Sequence, residues 1–248
     1  MSVDRVVYTA NSGLKHTMDR MSTASGNLAN AMTNGFRAQI DSLRTVPVTG
    51  DGAQTRHLAV NASVGSDFRQ GTLHETGNKL DVAIQGKGWI AVQGTDGNEA
   101  YTRAGSFTTD IAGMLQTQGG LKVLGDAGPI TVPPNSTVLI GKDGTVSASK
   151  TGLSSSTMES LGRIKLVNPP ESDLVRGDDG LFRLSSGQPA TPSASVTLIS
   201  GTIESSNVNP IEEMVNMVNL ARQFEMHAKL LQNSESIASK ADQLLSIS

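Results

Sequence analysis

Apolar residues near the start of the chain recur with a period of seven. Val7, Leu14, Met21 and Leu28 are each followed three residues later by Ala10, Thr17, Ala24 and Ala31. Such a heptad, with large residues at one seam position and small ones at the other, predicts a helix built to lie against other helices. Asn34-Gly35 is the left-handed cap at which it is expected to stop. Gly13 inside it costs about 1 kcal/mol relative to alanine, so the helix is expected to be marginal on its own. The other end of the chain carries a related pattern. Asn209 suits an N-cap, Pro210 the first helical position, and Glu212 falls three residues after the cap. From there to Leu245 no glycine or proline intervenes. Met214, Met217, Ala221, Phe224, Ala228, Leu231, Ala238 and Leu245 recur at steps of three and four, broken only by Glu235 and Asp242. A helix of this length spans roughly 55 Å at 1.5 Å per residue, several times the usual length, and so is built to reach a partner.

Between these ends the periodicity changes. Residues 36–78 are polar and extended, with Val46-Pro47-Val48, a turn cluster at Thr49-Gly50-Asp51-Gly52 and strand-like alternation over 56–60. From Lys79 onward short strands alternate with turns: 80–84, 89–92, 100–103, 106–109, 114–117, 121–124, 138–140, 145–147, 163–167, 181–184 and 196–199. Lys142-Asp143-Gly144 is a hairpin signal, and Gly86-Lys87-Gly88 reads as a tight hairpin turn. The expected fold class is α+β. Long N- and C-terminal helices pair as a coiled-coil-like core domain (residues 1–35 and 209–248). An extended connector or hairpin region covers 36–78, and an inserted, mainly antiparallel β domain of sandwich or barrel character covers 79–208.

Composition narrows the function. Lys and Arg number 20 against 23 acidic residues, a net charge of −3 with no long run of either sign, so nothing points to nucleic acid or an anionic membrane surface. One Trp, two Tyr and five Phe are too few for a large aromatic-lined pocket. The absence of cysteine excludes disulfides, thiolate catalysis and thiolate zinc sites. The N-terminus leads into no apolar signal-peptide core, and no stretch reaches the ~18 apolar residues of a membrane span.

Catalytic motifs are weak. His16, His57, His74 and His227 are scattered, with no pair at metal-ligand spacing. Asp178-Asp179, the one candidate carboxylate pair, precedes Gly180 and reads as a turn. Six of nine methionines, Met18, Met21, Met32, Met214, Met217 and Met226, fall in the expected terminal helices, where a flexible thioether adapts to non-identical neighbours. Two readings of the helices stay open: a pair that merely closes one domain, or a seam that interlocks with neighbouring subunits.

Ser25-Gly26-Asn27-Leu28-Ala29-Asn30, followed by Thr33-Asn34-Gly35-Phe36, resembles the N-terminal signature of bacterial flagellar rod and hook proteins. Gly71-Thr72-Leu73 and the run from Thr76 to Ile84 resemble the start of that family's β domain. Tyr101-Thr102-Arg103-Ala104-Gly105-Ser106-Phe107, with Asp110 and Gly113, is also similar to it, and Ser206-Asn207-Val208-Asn209-Pro210 leads into the last helix as in the family. Lys79 stands where many relatives carry proline, and Trp89 where phenylalanine is common. The length, Arg44-Thr45-Val46-Pro47-Val48 and Arg176-Gly177-Asp178-Asp179-Gly180 resemble a proximal-rod more than a distal-rod protein.

The resemblance implies a structural subunit of the proximal rod, with no catalysis and no cofactor. It implies export by the flagellar type III apparatus without a cleaved signal peptide, and assembly in the periplasm. Partners would be further copies and other rod proteins, proximal and distal, with neither nucleic acid nor membrane insertion. The terminal helices would form a tubular core that transmits motor torque. Subunit contacts are then expected at Val7, Leu14, Met21, Leu28, Met214, Met217, Ala221, Phe224, Ala228 and Leu231. The alternatives are a distal-rod protein of the same family, a secreted binding module with a helical stalk, and, more distantly, an enzyme with a site in the β domain.

Overall fold

The protein is described here by a computed structural model covering residues 3–47, 57–150 and 158–245. The turn expected at 49–52 and the start of the strand expected over 56–60 lie outside the described residues, as do the side chains of Ala238 and Leu245. The chain divides into two compact units: residues 1–31, 38–67 and 208–248 form one, and 32–37 with 68–207 form the other.

The first unit holds two helices, α1 (Val3–Ala29) and α2 (Pro210–Leu245), and an antiparallel hairpin of strands Gln39–Pro47 and His57–Ser66. α2 begins where its cap signal places it: the Asn209 carboxamide oxygen accepts from the N–H groups of Ile211 (3.1 Å) and Glu212 (3.4 Å). α1 stops at Ala29, short of the expected Asn34-Gly35 cap. Gly35 does take a left-handed conformation (φ 70°), but it belongs to the β unit, where its N–H donates to the Glu204 carbonyl at 2.8 Å. A Cβ there would lie 2.2 Å from the Arg103 carbonyl carbon, so glycine is required by a close backbone passage and not by a helix end. Residues 36–78, read from sequence as a connector, are thus divided: 38–67 join the helices, and 36–37 with 68–78 join the β unit.

The β unit is antiparallel in every strand pair described. A five-stranded sheet runs Leu166–Val167, Trp89–Gln93, Glu99–Thr102, Phe182–Leu184, Leu174–Arg176. A three-stranded sheet runs Ser136–Ile140, Thr145–Lys150, Glu159–Arg163, its first two strands joined by the expected Lys142-Asp143-Gly144 turn. Gly86-Lys87-Gly88 is not a hairpin turn. It hands the chain from Val82–Gln85, which pairs with Thr197–Ser200, to Trp89–Gln93 in the five-stranded sheet. That last strand is buried on both faces, which is why its sequence shows no polar alternation. Ile90 and Val92 enter one apolar cluster with Val82, Phe107, Leu115 and Ile164, whereas Trp89 and Ala91 enter a second with Tyr101, Val167 and Phe182.

Candidate assembly surface

α1 and α2 meet within the first unit. On α1 the small seam residues Ala10, Thr17 and Ala24 are buried, while the large ones, Val7, Leu14, Met21 and Leu28, are half-buried on the flank. Small residues go inside because they let helix backbones approach closely. The helix interior also contains Asn27, which heptad reasoning does not mark. Its carboxamide nitrogen donates to the Gln39 carbonyl and to Glu213 Oε1, both at 3.0 Å, and its oxygen accepts from the Gln39 N–H at 2.8 Å. One buried side chain thereby ties α1 to the hairpin and to α2, with its polar atoms satisfied. Farther along, the space above Gly13 is filled by the His227 imidazole: a Cβ at Gly13 would sit 2.8 Å from its Cε1.

α2 distributes its apolar residues around most of its circumference. Leu220 and Ser234 are buried. Of the expected seam, Met217, Ala221, Ala228 and Leu231 are half-buried, and Met214 and Phe224 are exposed. Sequence periodicity missed a further stripe, Ile211, Val215, Val218, Met226, Leu230 and Ile237, all exposed. At 100° per residue Ile211, Val215 and Val218 lie about half a turn from Leu220. Contiguous exposed apolar side chains of this kind mark an interaction surface, and a helix that is apolar on most sides belongs among other helices.

In the β unit the most heavily buried charges form one cluster. Glu204 accepts from Arg37 Nη2 (2.5 Å), Arg103 Nη1 (3.0 Å) and the Gly71 N–H (3.0 Å), its side chain fully enclosed. Arg176 Nη1 donates to the Arg37 carbonyl at 2.5 Å. The Nε atoms of all three arginines and Nη1 of Arg37 have no hydrogen-bond partner, and each guanidinium lies over an aromatic ring. Arg37 and Arg103 lie 6.0 and 5.5 Å from the Trp89 ring centre, and Arg176 4.4 Å from that of Phe36. Burial, the largest influence, pushes the Arg103 guanidinium below its ordinary value; Glu204 opposes it and Arg37 adds to it. The cluster joins residues 36–37, at the end of the chain's first short passage through this unit, to Glu204, close to where the chain finally leaves it. Asn207 N–H also donates to the Phe36 carbonyl (3.3 Å).

A groove of about 660 Å³ elsewhere in the β unit is lined by 77–80, 109–113 and 132–138. Its two ionisable residues are Lys79 and Asp110, and one oxygen of Asp110 is occupied by the Met114 N–H at 2.7 Å. No group of three or more His, Asp or Glu side chains placed to hold a metal occurs among the described residues, nor is any described helix long and apolar enough to cross a membrane.

Residues 83–148 match the flagellar hook protein FlgE/F/G D1 domain, and 199–244 match the flagellar basal body rod FlgEFG protein C-terminal region. The chain therefore belongs to the flagellar rod and hook protein family. It is 42% identical to the flagellar basal-body rod protein FlgF of Escherichia coli K12, over 99% of this chain and all of that one. The FlgF of Salmonella typhimurium LT2 is equally similar, at 42% over the same shares. The FlgG of Buchnera aphidicola (strain Sg) is 35% identical over 96% of this chain and 98% of its own. Identity to these two FlgF proteins exceeds that to this FlgG, in agreement with the proximal-rod features of the sequence.

Proposed function

We propose that this chain is a structural subunit of the proximal rod of the bacterial flagellar basal body. It self-assembles through α1 and α2, which pair in coiled-coil fashion, into the tubular shaft that carries motor torque. The observation that carries this reading is the distribution of apolar residues on α2: Leu220 is buried on one side while Ile211, Val215 and Val218 are exposed on the other. Burying one such side chain contributes about 1.5–3 kcal/mol, and an assembly repeats that gain at every subunit. Stiffness under torque then follows from many simultaneous seams.

On this reading the neighbours are further copies and other rod proteins, proximal and distal. The chain reaches the periplasm through the flagellar type III export apparatus and has no catalytic task. The ten seam residues from Val7 to Leu231 serve as subunit contacts together with the stripe from Ile211 to Ile237. The test is motility in cells lacking the native gene. Leu28→Ala, Phe224→Ala and Val215→Glu are expected to abolish swimming and to stop rod growth, while the purified chains keep a folded β unit. Normal swimming in all three would refute the assignment.

A further inference from the structure

We infer that two contacts, Gly13 with His227 and Asn27 with Glu213, are register pins that allow α1 and α2 of one chain to pair in a single antiparallel alignment. This rests on the proposal that the two helices pair along their lengths. Fourteen residues separate Gly13 from Asn27, and fourteen separate Glu213 from His227 in the opposite chain sense. Two contacts of unrelated chemistry therefore specify one register, two heptads apart. Leu220, midway between the α2 pins, is 1% exposed, as a core position of that same register must be.

The seam needs such pins because its remaining residues are permissive. Ala10, Thr17 and Ala24 are similarly small, seven apart, and accept an apolar partner in several alignments. In a structure built from many homologous helices, such a seam pairs readily out of step or with a neighbour's helix. A slip of one heptad in one direction sets buried Asn27 against Leu220, which offers no acceptor. A slip in the other sets the Gly13 notch against Leu220 and leaves the imidazole of His227 without its recess. One buried polar residue fixing the register of an otherwise apolar helix seam is an established device, and a notch filled by one ring adds a steric counterpart. The glycine that weakens α1 as an isolated helix is therefore the feature that selects its alignment.

Carried along both helices at alternating steps of three and four, the register sets Ala24 opposite Met217. Because the chain has no cysteine, engineered pairs report this directly. Cells carrying the full chain with Ala24→Cys/Met217→Cys are expected, on oxidation, to give an intramolecular cross-link that runs as a compact monomer. Ala24→Cys/Phe224→Cys, displaced by one heptad, is expected to give none. Adding Glu213→Leu/His227→Ala leaves the bonds between Asn27 and Gln39 in place but removes both pins. The displaced pair should then cross-link to an extent comparable with the in-register pair. Exclusive in-register cross-linking after that change would overturn the pins while leaving the helix pairing intact. Absence of both cross-links in every chain would overturn the pairing itself and the register with it.

A second readout needs no cysteine. Gly13→Ala should reduce the swimming halo although alanine favours a helix, and adding His227→Ala should restore it. Failure of that rescue would count against the steric pin.

Discussion

Substituting Glu204 by Gln tests the buried cluster most directly, because the change keeps the shape and removes the charge. The Glu204 side chain is fully enclosed, and the side chains of Arg37 and Arg103 are 1% and 5% exposed. In the native chain one carboxylate compensates two guanidiniums. In the variant both cations remain buried with only a neutral acceptor, and breaking a buried pair in this way costs about 3–5 kcal/mol. For a domain of this size each kcal/mol moves the melting temperature by ~2–4 °C, so a fall of about 10 °C is expected. The assay is built into the molecule. Trp89 is the sole tryptophan and lies under both guanidiniums, so its fluorescence follows the cluster while the far-ultraviolet signal follows α1 and α2. A companion, Arg37→Met/Arg103→Met/Glu204→Leu, replaces all three charges by apolar groups of similar size and is expected to melt well above Glu204→Gln, since such exchanges cost little beyond the Gly71 N–H, which loses its acceptor. A melting temperature for Glu204→Gln within about 2 °C of native would refute the charge argument. An equal fall in both variants would assign the effect to packing.

Tyr101 gives an alkaline test. Its phenol is pushed up to about 12, first by burial and then by its bond to Glu99. The folded value exceeds the unfolded one near 10, so this contribution is complete below pH 10 and is lost as pH rises from about 10 to 12. Tyr101→Phe should flatten that limb. It should also cost about 1–3 kcal/mol at neutral pH, because the buried Ala190 N–H, which donates to the phenol oxygen at 2.7 Å, loses its acceptor. An unchanged urea midpoint would refute this. Asp179 gives the acid counterpart: the bidentate bond from Arg183 (3.0 and 2.7 Å), opposed by partial burial, holds its carboxyl below the usual range. Its contribution is present above the usual carboxylate value and lost as pH falls through the folded one. Arg183→Leu should shrink the acid limb by well under 1 kcal/mol for so exposed a pair, and a larger loss would point to another role. Hydrogen exchange on the free chain should be slow across the strands between 82 and 200 and faster across α1 and α2, as the proposed assembly role requires. The reverse order would argue for a prefolded stalk.

The helices were legible in sequence because helix periodicity and capping are local. Asn209 caps α2 as its position predicts, and the run to Leu245 is one helix. What sat inside α1 was less legible. Heptad counting gives weight to large apolar residues, yet Ala10, Thr17, Ala24 and Asn27 are buried and Leu14 and Met21 are not fully so, since close backbone approach favours small side chains. The Ile211–Ile237 stripe was hidden for the opposite reason. A helix apolar around most of its surface satisfies several periodic templates, and choosing the best one discards the others. Glu204 was invisible because its partners, Arg37, Gly71 and Arg103, are 167, 133 and 101 residues away along the chain. Burial of a glutamate in a Thr-Ile-Glu strand has no local signature.

That long-range cluster bears on how the terminal helices find each other. Loop-closure entropy rises with the logarithm of loop length, so uniting two segments some two hundred residues apart is costly when they meet unaided. Here the β unit meets that cost itself. Its first short segment, 32–37, and its last residues, 202–207, are joined by the Gly35–Glu204 and Phe36–Asn207 backbone bonds and by the Arg37–Glu204 pair. Once it has folded, the segments leading to α1 and α2 start from residues held side by side by these bonds. Their pairing becomes the closure of a short tether with a high effective concentration. Helices too weak to persist alone can then pair, and the weakness introduced by Gly13 is tolerable. It follows that Glu204→Gln should impair swimming more than its loss of β-unit stability alone accounts for. A variant that lowers the melting temperature equally by truncating the core, such as Ile164→Val with Val123→Ala, is the control, and equal swimming defects in the two would refute the tether.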